Sequence, residues 1–194
     1  MISFELSSAA LEADRTRLLA LLTERSYAKK KVVLSSGRES DFYVDCKKTV
    51  LTAEGHWLTG RLLFSAIRTH APDAVGIGGL TMGADPLASA VSLVSHVADH
   101  ALYAFLIRKE PKGHGTGQWV EGLSSIAQGA RVAIVEDVIT TGASTIKAIE
   151  RARAEGLVPT AAFALVDRQE GGREPIEALG VQVHSLFTRG DFPK

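Results

Sequence analysis

Glu136 and Asp137 stand side by side at the end of an apolar run and are followed at once by Val138-Ile139-Thr140-Thr141-Gly142-Ala143-Ser144. A turn of this kind, opening directly onto a helix, offers free backbone N–H groups at the positive end of the helix dipole, with hydroxyl donors from Thr140, Thr141 and Ser144. Gly142 lets the backbone approach a ligand closely. These features suit a phosphate. The two carboxylates would repel one, so they need a different partner: ribose hydroxyls, which are donors, or a metal shared with the substrate. Acid pair plus phosphate cradle points to a sugar phosphate. An ordinary strand-to-helix connection capped by Ser or Thr would explain the hydroxyls and Gly142, but not two acids at the end of a buried strand.

A second segment, Arg108-Lys109-Glu-Pro-Lys112-Gly-His114-Gly-Thr-Gly117, sets three cations and a histidine among three alternating glycines without apolar periodicity. Such a stretch holds no rigid element; it reads as a cationic flap able to close over a polyanion and exclude water during the chemistry. Taken alone it reads rather as a surface loop. Competing phosphate motifs fail. Gly78 and Gly83 have P-loop spacing, but Ala84-Asp85 follows where Lys-Ser/Thr is required, and Gly76-Ile-Gly78 lacks the third glycine of a dinucleotide fingerprint. His96 and His100 are four apart on an expected helix, yet no third ligand accompanies them, so they read as surface or packing residues. Trp57 and Trp119 read as packing residues too, and Lys29 to Lys31 as a solvated helix end.

The elements that must carry these groups follow from periodicity. Residues 9–26 space leucines as an amphipathic helix, and the runs VVL and FYV flank a Ser-Gly-Arg turn as in a hairpin or cap. From residue 53 the chain alternates: helices at 53–70, 84–98 and 143–155 separate the apolar runs AVGIGGL, ALYAFLI, RVAIVEDV, TAAFALV and VQVHSLF. Short continuous apolar runs between helices indicate strands buried on both faces, hence an α/β domain with a mostly parallel central sheet flanked by helices. Chemically distinctive residues sit just after the strands: Thr81 to Asp85, Arg108 to His114, Glu136 to Thr141, and Asp167 with Arg168. In open parallel sheets ligands bind beyond the carboxyl ends of the strands, so these four sets are expected to converge on one crevice.

The 194 residues carry 22 Lys+Arg against 22 Asp+Glu, with 45% hydrophobic and 23% charged positions. That is one ordinary globular domain, and its neutrality argues against a nucleic-acid partner. Cys46 is the single cysteine, so an intrachain disulfide is excluded and a buried thiol expected. No apolar stretch approaches the ~20 residues that cross a bilayer, and the N-terminus does not read as a signal peptide. A cytoplasmic location is the expectation, with no membrane partner.

The string Ala133 to Thr145 resembles the signature with which type I phosphoribosyltransferases bind 5-phosphoribosyl 1-pyrophosphate (PRPP). RKEPKGHGTG resembles the catalytic loop of the orotate phosphoribosyltransferase family. Leu34 to Asp45 is similar to that family's N-terminal segment, whose aromatic pair, here Phe42 and Tyr43, packs on orotate. Val166-Asp167-Arg168 is similar to the segment whose arginine grips orotate. Taken singly, Phe42 would be core and Arg168 a surface ion pair; their weight comes from order and spacing with the stronger motifs. The resemblance spans about residues 27–190.

It implies the type I phosphoribosyltransferase fold with a small N-terminal hood: one domain over 1–194, with about 1–50 and the C-terminal end forming the hood and about 53–170 the α/β core. It implies transfer of the phosphoribosyl group from PRPP to orotate in pyrimidine synthesis, Mg²⁺ travelling with the pyrophosphate, and no direct protein metal site. PRPP would be held by Arg108, Lys109, Lys112, His114 and Glu136, Asp137, Val138, Ile139, Thr140, Thr141, Gly142, Ala143 and Ser144. Orotate would be held by Phe42, Tyr43, Thr140 and Arg168, with Lys112, His114 and Asp137 catalytic. A homodimer sharing the flap between subunits is also implied. Some relatives have lysines where this chain has Ser35 and Met82, at the pyrophosphate end, so those contacts are expected from backbone N–H groups or the flap. The alternatives are a purine phosphoribosyltransferase and a non-enzymatic regulator that senses PRPP.

Overall fold

The computed structural model describes residues 6–33, 39–111 and 118–193. Helix α1 (Ser8–Arg25) is started by Ser7, whose hydroxyl accepts from the Ala10 amide at 3.3 Å, and it buries Leu18, Leu21 and Leu22. Strands β1 (Tyr27–Val33) and β2 (Glu39–Val44) pair antiparallel as the expected hairpin. Lys29, Lys30 and Lys31 therefore lie in a strand, not at a helix end: α1 stops at Arg25, where the Ser26 amide closes on the Leu22 carbonyl. The short helix α2 (Lys47–Val50) leads into α3 (Ala53–His70), capped by Thr52.

The remainder alternates strand and helix: β3 (Gly76–Leu80), α4 (Asp85–Val97), β4 (Tyr103–Ile107), β5 (Val120–Glu121), β6 (Arg131–Ile139), α5 (Ala143–Ala154), β7 (Val158–Asp167), α6 (Arg173–Glu177) and β8 (Gln182–Thr188). The sheet order is β5-β4-β3-β6-β7-β8, parallel except for β5, which pairs antiparallel with β4. The two-residue β5 carries no periodicity of its own and was not legible as a strand.

Alternation along the central strands builds two cores. Ala133 and Val135 of β6, with Ala161, Phe163 and Leu165 of β7, join α1, α3 and α4 on one face. Val132, Ile134, Ala162 and Ala164 join α5 and α6 on the other. Burial on both faces is why these strands read as unbroken apolar runs. Because the chain runs outward from β3 to β4 and then returns to β6 on the other side of β3, the strand order reverses between β3 and β6. Crevices open at such a point, at the carboxyl ends of the strands.

Helix α4 ends at Val97, which removes the expected helical relation of His96 to His100. His100 Nε2 instead lies 2.6 Å from Arg68 Nη1, with its ring beside Phe64. Trp119 packs under the Arg151 guanidinium, 3.4 Å from ring centre to charge. The β1–β2 hairpin meets the C-terminal end of the chain in an aromatic cluster, where Phe42 lies 5.3 Å from Tyr27 and, edge-on, 5.3 Å from Phe192. No helix among the described residues is long and apolar enough to cross a membrane.

Candidate active site

Strand β6 delivers the acid pair, and the pleat decides where each acid points. Neighbouring residues on a strand face opposite sides. Glu136 continues the series Val132, Ile134 and turns toward α5, where the Thr145 hydroxyl donates to its Oε2 at 3.4 Å. Asp137 turns the other way, accepts from the Val138 amide at 2.9 Å and lies against Gly83. A β-carbon at Gly83 would stand 2.6 Å from Asp137 Oδ1, so the loop after β3 approaches the carboxylate as closely as only glycine allows.

Beyond β6 the chain turns through Thr140, Thr141 and Gly142, the last at φ +80°, and enters α5 without any side-chain cap. The first helical bond is Ile146 N–H to the Gly142 carbonyl, so the amides before Ile146 have no partner within the helix. Residues 136–145 enclose a cavity of about 240 Å³ over these amides. Ile139 is 1% exposed and packs into the α5-side core, which leaves only its backbone for a ligand. A second cavity of about 240 Å³ adjoins the first through Glu136, Asp137 and Ser144 and is otherwise walled by Lys47, Leu80, Thr81, Met82, Gly83 and Lys109. Three of the four post-strand sets thus meet around Asp137.

The fourth set faces the hood. Arg168, buried, donates through Nη2 to the Phe42 carbonyl at 2.7 Å and pairs with Glu170 at 3.1 Å. Its guanidinium lies 5.5 Å from the Phe42 ring centre, and that of Arg189 lies 5.7 Å from it. A cavity of about 370 Å³ opens beside Phe42, Arg189 and Phe192. Phe42 itself is 3% exposed. Tyr43, next along β2, faces away and carries the Lys30 ammonium 4.0 Å from its ring centre, so the aromatic pair is split between two faces.

On either side of residues 112–117, Leu106 and Ile107 pair with Glu121 and Val120, and the Arg108 amide donates to the Trp119 carbonyl at 2.9 Å. Arg108 Nη1 lies 3.6 Å from Glu121. Lys112 and His114 lie outside the described residues, as does Ser35. Lys47 was not singled out by sequence reasoning: it stands in VDCKK with no motif, ninety positions before Asp137.

Burial pushes the Glu136 carboxyl well above the usual carboxylate range, and the neighbouring Asp137 pushes it further. Cys46, fully buried with its thiol 3.8 Å from the Asp137 carbonyl, is likewise pushed up by desolvation. A carboxyl with a raised folded-state pKa binds its proton more tightly folded than unfolded, so stability falls as pH rises from the unfolded value to the folded one. Glu136→Gln removes that cost. The variant is expected to be more stable than the parent at pH 8 by about 0.5–2 kcal/mol, a typical gain on relieving a functional site, with the difference vanishing near pH 4. Thermal unfolding of both proteins across that range checks it; a variant less stable at pH 8 would count against the raised carboxyl. Among the described residues no group of three or more His, Cys, Asp or Glu side chains gathers to hold a metal.

No protein-family model matches the chain. It is 52% identical over 185 residues to the orotate phosphoribosyltransferase of Sorangium cellulosum (strain So ce56), covering 95% of this chain and 96% of that one. It superposes on a crystal structure of Mycobacterium tuberculosis H37Rv orotate phosphoribosyltransferase in complex with Fe(III) dicitrate with a TM-score of 0.78, at 37% identity and over 92% and 98% of the two chains. For the same enzyme in complex with PRPP the TM-score is 0.75, at 35% identity and the same coverage. An acid pair splayed beside an uncapped helix start, at the reversal point of a sheet shared along nearly its whole length with these relatives, has one family explanation: the chain belongs to the orotate phosphoribosyltransferases, of the type I phosphoribosyltransferase fold.

Proposed function

We propose that the chain transfers the 5-phosphoribosyl group of PRPP to orotate, releasing pyrophosphate and giving orotidine 5′-monophosphate for pyrimidine synthesis. The observation that carries this is the meeting of Asp137, Glu136 and the uncapped start of α5 around two joined cavities. The bond from the ribose anomeric carbon to pyrophosphate breaks, an orotate ring nitrogen bonds to that carbon, and its proton is released. The anomeric carbon turns cationic in between, so catalysis is positioning and charge stabilisation.

The turn Thr140 to Ser144 holds the 5′-phosphate on its amides and hydroxyls. Asp137 and Glu136 accept from the ribose hydroxyls, and Asp137 sets a negative potential at the developing cation. Lys109, in the cavity with Asp137, and Arg108, Lys112 and His114 of the flap neutralise the departing pyrophosphate, with Lys112 or His114 protonating it. Mg²⁺ arrives with PRPP as part of the substrate. Arg168 clamps orotate at the hood side with Phe42 and Thr140, a guanidinium being suited to a carboxylate or carbonyl pair, while Tyr43, on the opposite face of β2, takes no part in that clamp.

The whole chain acts as one domain and as a cytoplasmic homodimer. Exposed Leu93 and Val97, one turn apart on α4, and exposed Met82 beside the cavity supply apolar surface for a second copy. In the dimer Arg108, Lys112 and His114 act on the neighbour's site, while Lys109 and the acid loop act on their own.

Loss of orotate absorbance with PRPP and Mg²⁺, beside adenine and hypoxanthine controls, tests the activity. Turnover of a purine with inertness toward orotate would overturn it, and PRPP binding without turnover of any base would favour the regulator. Inactive Lys112→Ala chains mixed with inactive Asp137→Asn chains are expected to recover part of the activity in hybrid dimers. No recovery, with exchange of subunits verified, would refute the shared flap.

A further inference from the structure

The cavity between the loop after β3 and the acid pair is lined by two cations, Lys47 and Lys109, and they differ in how they are held. Lys109 belongs to the stem of the flap. Lys47 opens α2, a helix fastened from beneath: Cys46, Thr49 and Val50 are buried. The Thr49 hydroxyl meets that of Ser26 at 2.7 Å and donates to the Leu21 carbonyl at 3.2 Å, and the Asp45 amide donates to the Ser26 carbonyl at 3.0 Å. From this base the Lys47 side chain, partly exposed, reaches Asp45 Oδ1 at 2.8 Å.

We propose that Lys47 is the chain's own fixed cation for the pyrophosphate end of PRPP, and that it belongs to the binding machinery of the site. This rests on the phosphoribosyltransferase reading above and adds to it a residue outside every motif. Electrostatics require such a group. A pyrophosphate ester entering this cavity meets the repulsive Asp137 carboxylate, and a cation on a fastened backbone across the same cavity offsets that repulsion. An ammonium has three N–H donors, so one directed at Asp45 leaves two for phosphate oxygens. Asp45 and Asp137 together hold the Lys47 ammonium more firmly protonated than an ordinary lysine. Met82, which lines the same cavity with its side chain mostly exposed, brings no charge.

The test compares Lys47→Ala, Lys47→Arg and Lys47→Met with Lys48→Ala, which removes the same charge from the exposed neighbouring position. Two quantities are measured: KM for PRPP in the orotate assay, and affinity for magnesium pyrophosphate by calorimetry, which needs no orotate. Lys47→Ala and Lys47→Met are expected to weaken both about ten- to hundredfold, the scale of one charge-assisted hydrogen bond, with kcat and KM for orotate within about threefold of the parent. Lys47→Arg is expected to keep most of the affinity, and Lys48→Ala all of it. Adding Met82→Lys to Lys47→Ala is expected to restore part of the pyrophosphate affinity, because the charge returns to the same cavity.

Unchanged pyrophosphate affinity in Lys47→Ala overturns the assignment, as does an equal loss of orotate and PRPP affinity, the mark of a merely structural role. If the parent ignores orotate yet binds pyrophosphate through Lys47, the activity proposed above fails while Lys47 stands. If the parent neither turns over orotate nor binds pyrophosphate, both fall.

Discussion

Asp137→Asn is expected to lower kcat for orotate-dependent PRPP turnover by about two to three orders of magnitude, the cost of removing one preorganised electrostatic stabiliser, with the fold intact. The fold survives because Asp137 accepts a 2.9 Å bond from its neighbour's amide, and an asparagine oxygen accepts the same bond. The approach of Gly83 is indifferent to charge, since the two side chains have nearly the same shape. What is lost is negative potential on the side of the cavity where the anomeric carbon turns cationic. That charge exists in the transition state and not in bound PRPP, so kcat and kcat/KM are expected to fall together while KM for PRPP moves little. A large rise in KM with kcat preserved would show instead that Asp137 serves only to bind ribose. The contrast with Glu136 sharpens the test. Glu136 is buried with a raised pKa and Asp137 is half-buried beside Lys47 and Lys109, so the carrier of the charge is Asp137.

Gly142→Ala is expected to cut kcat/KM for PRPP by at least about a hundredfold, the consequence of misplacing a positioning loop by an ångström, and to destabilise the chain as well. Gly142 sits at φ +80°, where an L residue costs about 1–2 kcal/mol, and its new β-carbon would stand 2.6 Å from the Gly172 carbonyl oxygen. Relief of that contact moves the turn whose amides form the proposed phosphate cradle. Gly129→Ala is the control, because Gly129 has φ +76° with nothing within 4 Å of the added carbon. It is expected to lose the conformational part alone, lowering Tm by roughly 2–4 °C per kcal/mol, with activity unchanged. Equal activity in the two variants would show that the cradle does not depend on the close packing of Gly142 against Gly172.

The difference between these two sites and the rest of the cavity is one of distance along the chain. Glu136 through Ser144 form one contiguous strand, turn and helix start, and every feature used above for their chemistry is local: the pleat, the positive φ, the missing cap. That is why their types and order mark this segment as the candidate site. The alternation of apolar runs and helices is local in the same sense, and it carries the α/β class because strands buried on both faces cannot afford polar interruptions. Lys29 to Lys31, by contrast, have no alternation to mark a strand, and pairing with β2 decides their conformation.

Other features depend on which segments the sheet brings together. The split of Phe42 from Tyr43 follows from the side of β2 that packs on Phe192, and the reach of Arg168 to the Phe42 carbonyl spans 126 positions. The edge of the sheet beside β4 rests on β5, a two-residue strand too short to leave a pattern.

What the amino-acid order determined alone is the acid pair, the hydroxyl- and glycine-bearing turn after it and the alternation of strands and helices, because each of these elements is encoded within its own run of neighbouring residues. What only the tertiary structure decided is which cations face that acid pair. Lys47 reaches the cavity because β3 and β6 are neighbours at the reversal of strand order and α2 is clamped beside them, an arrangement set by long-range packing that no local spacing records.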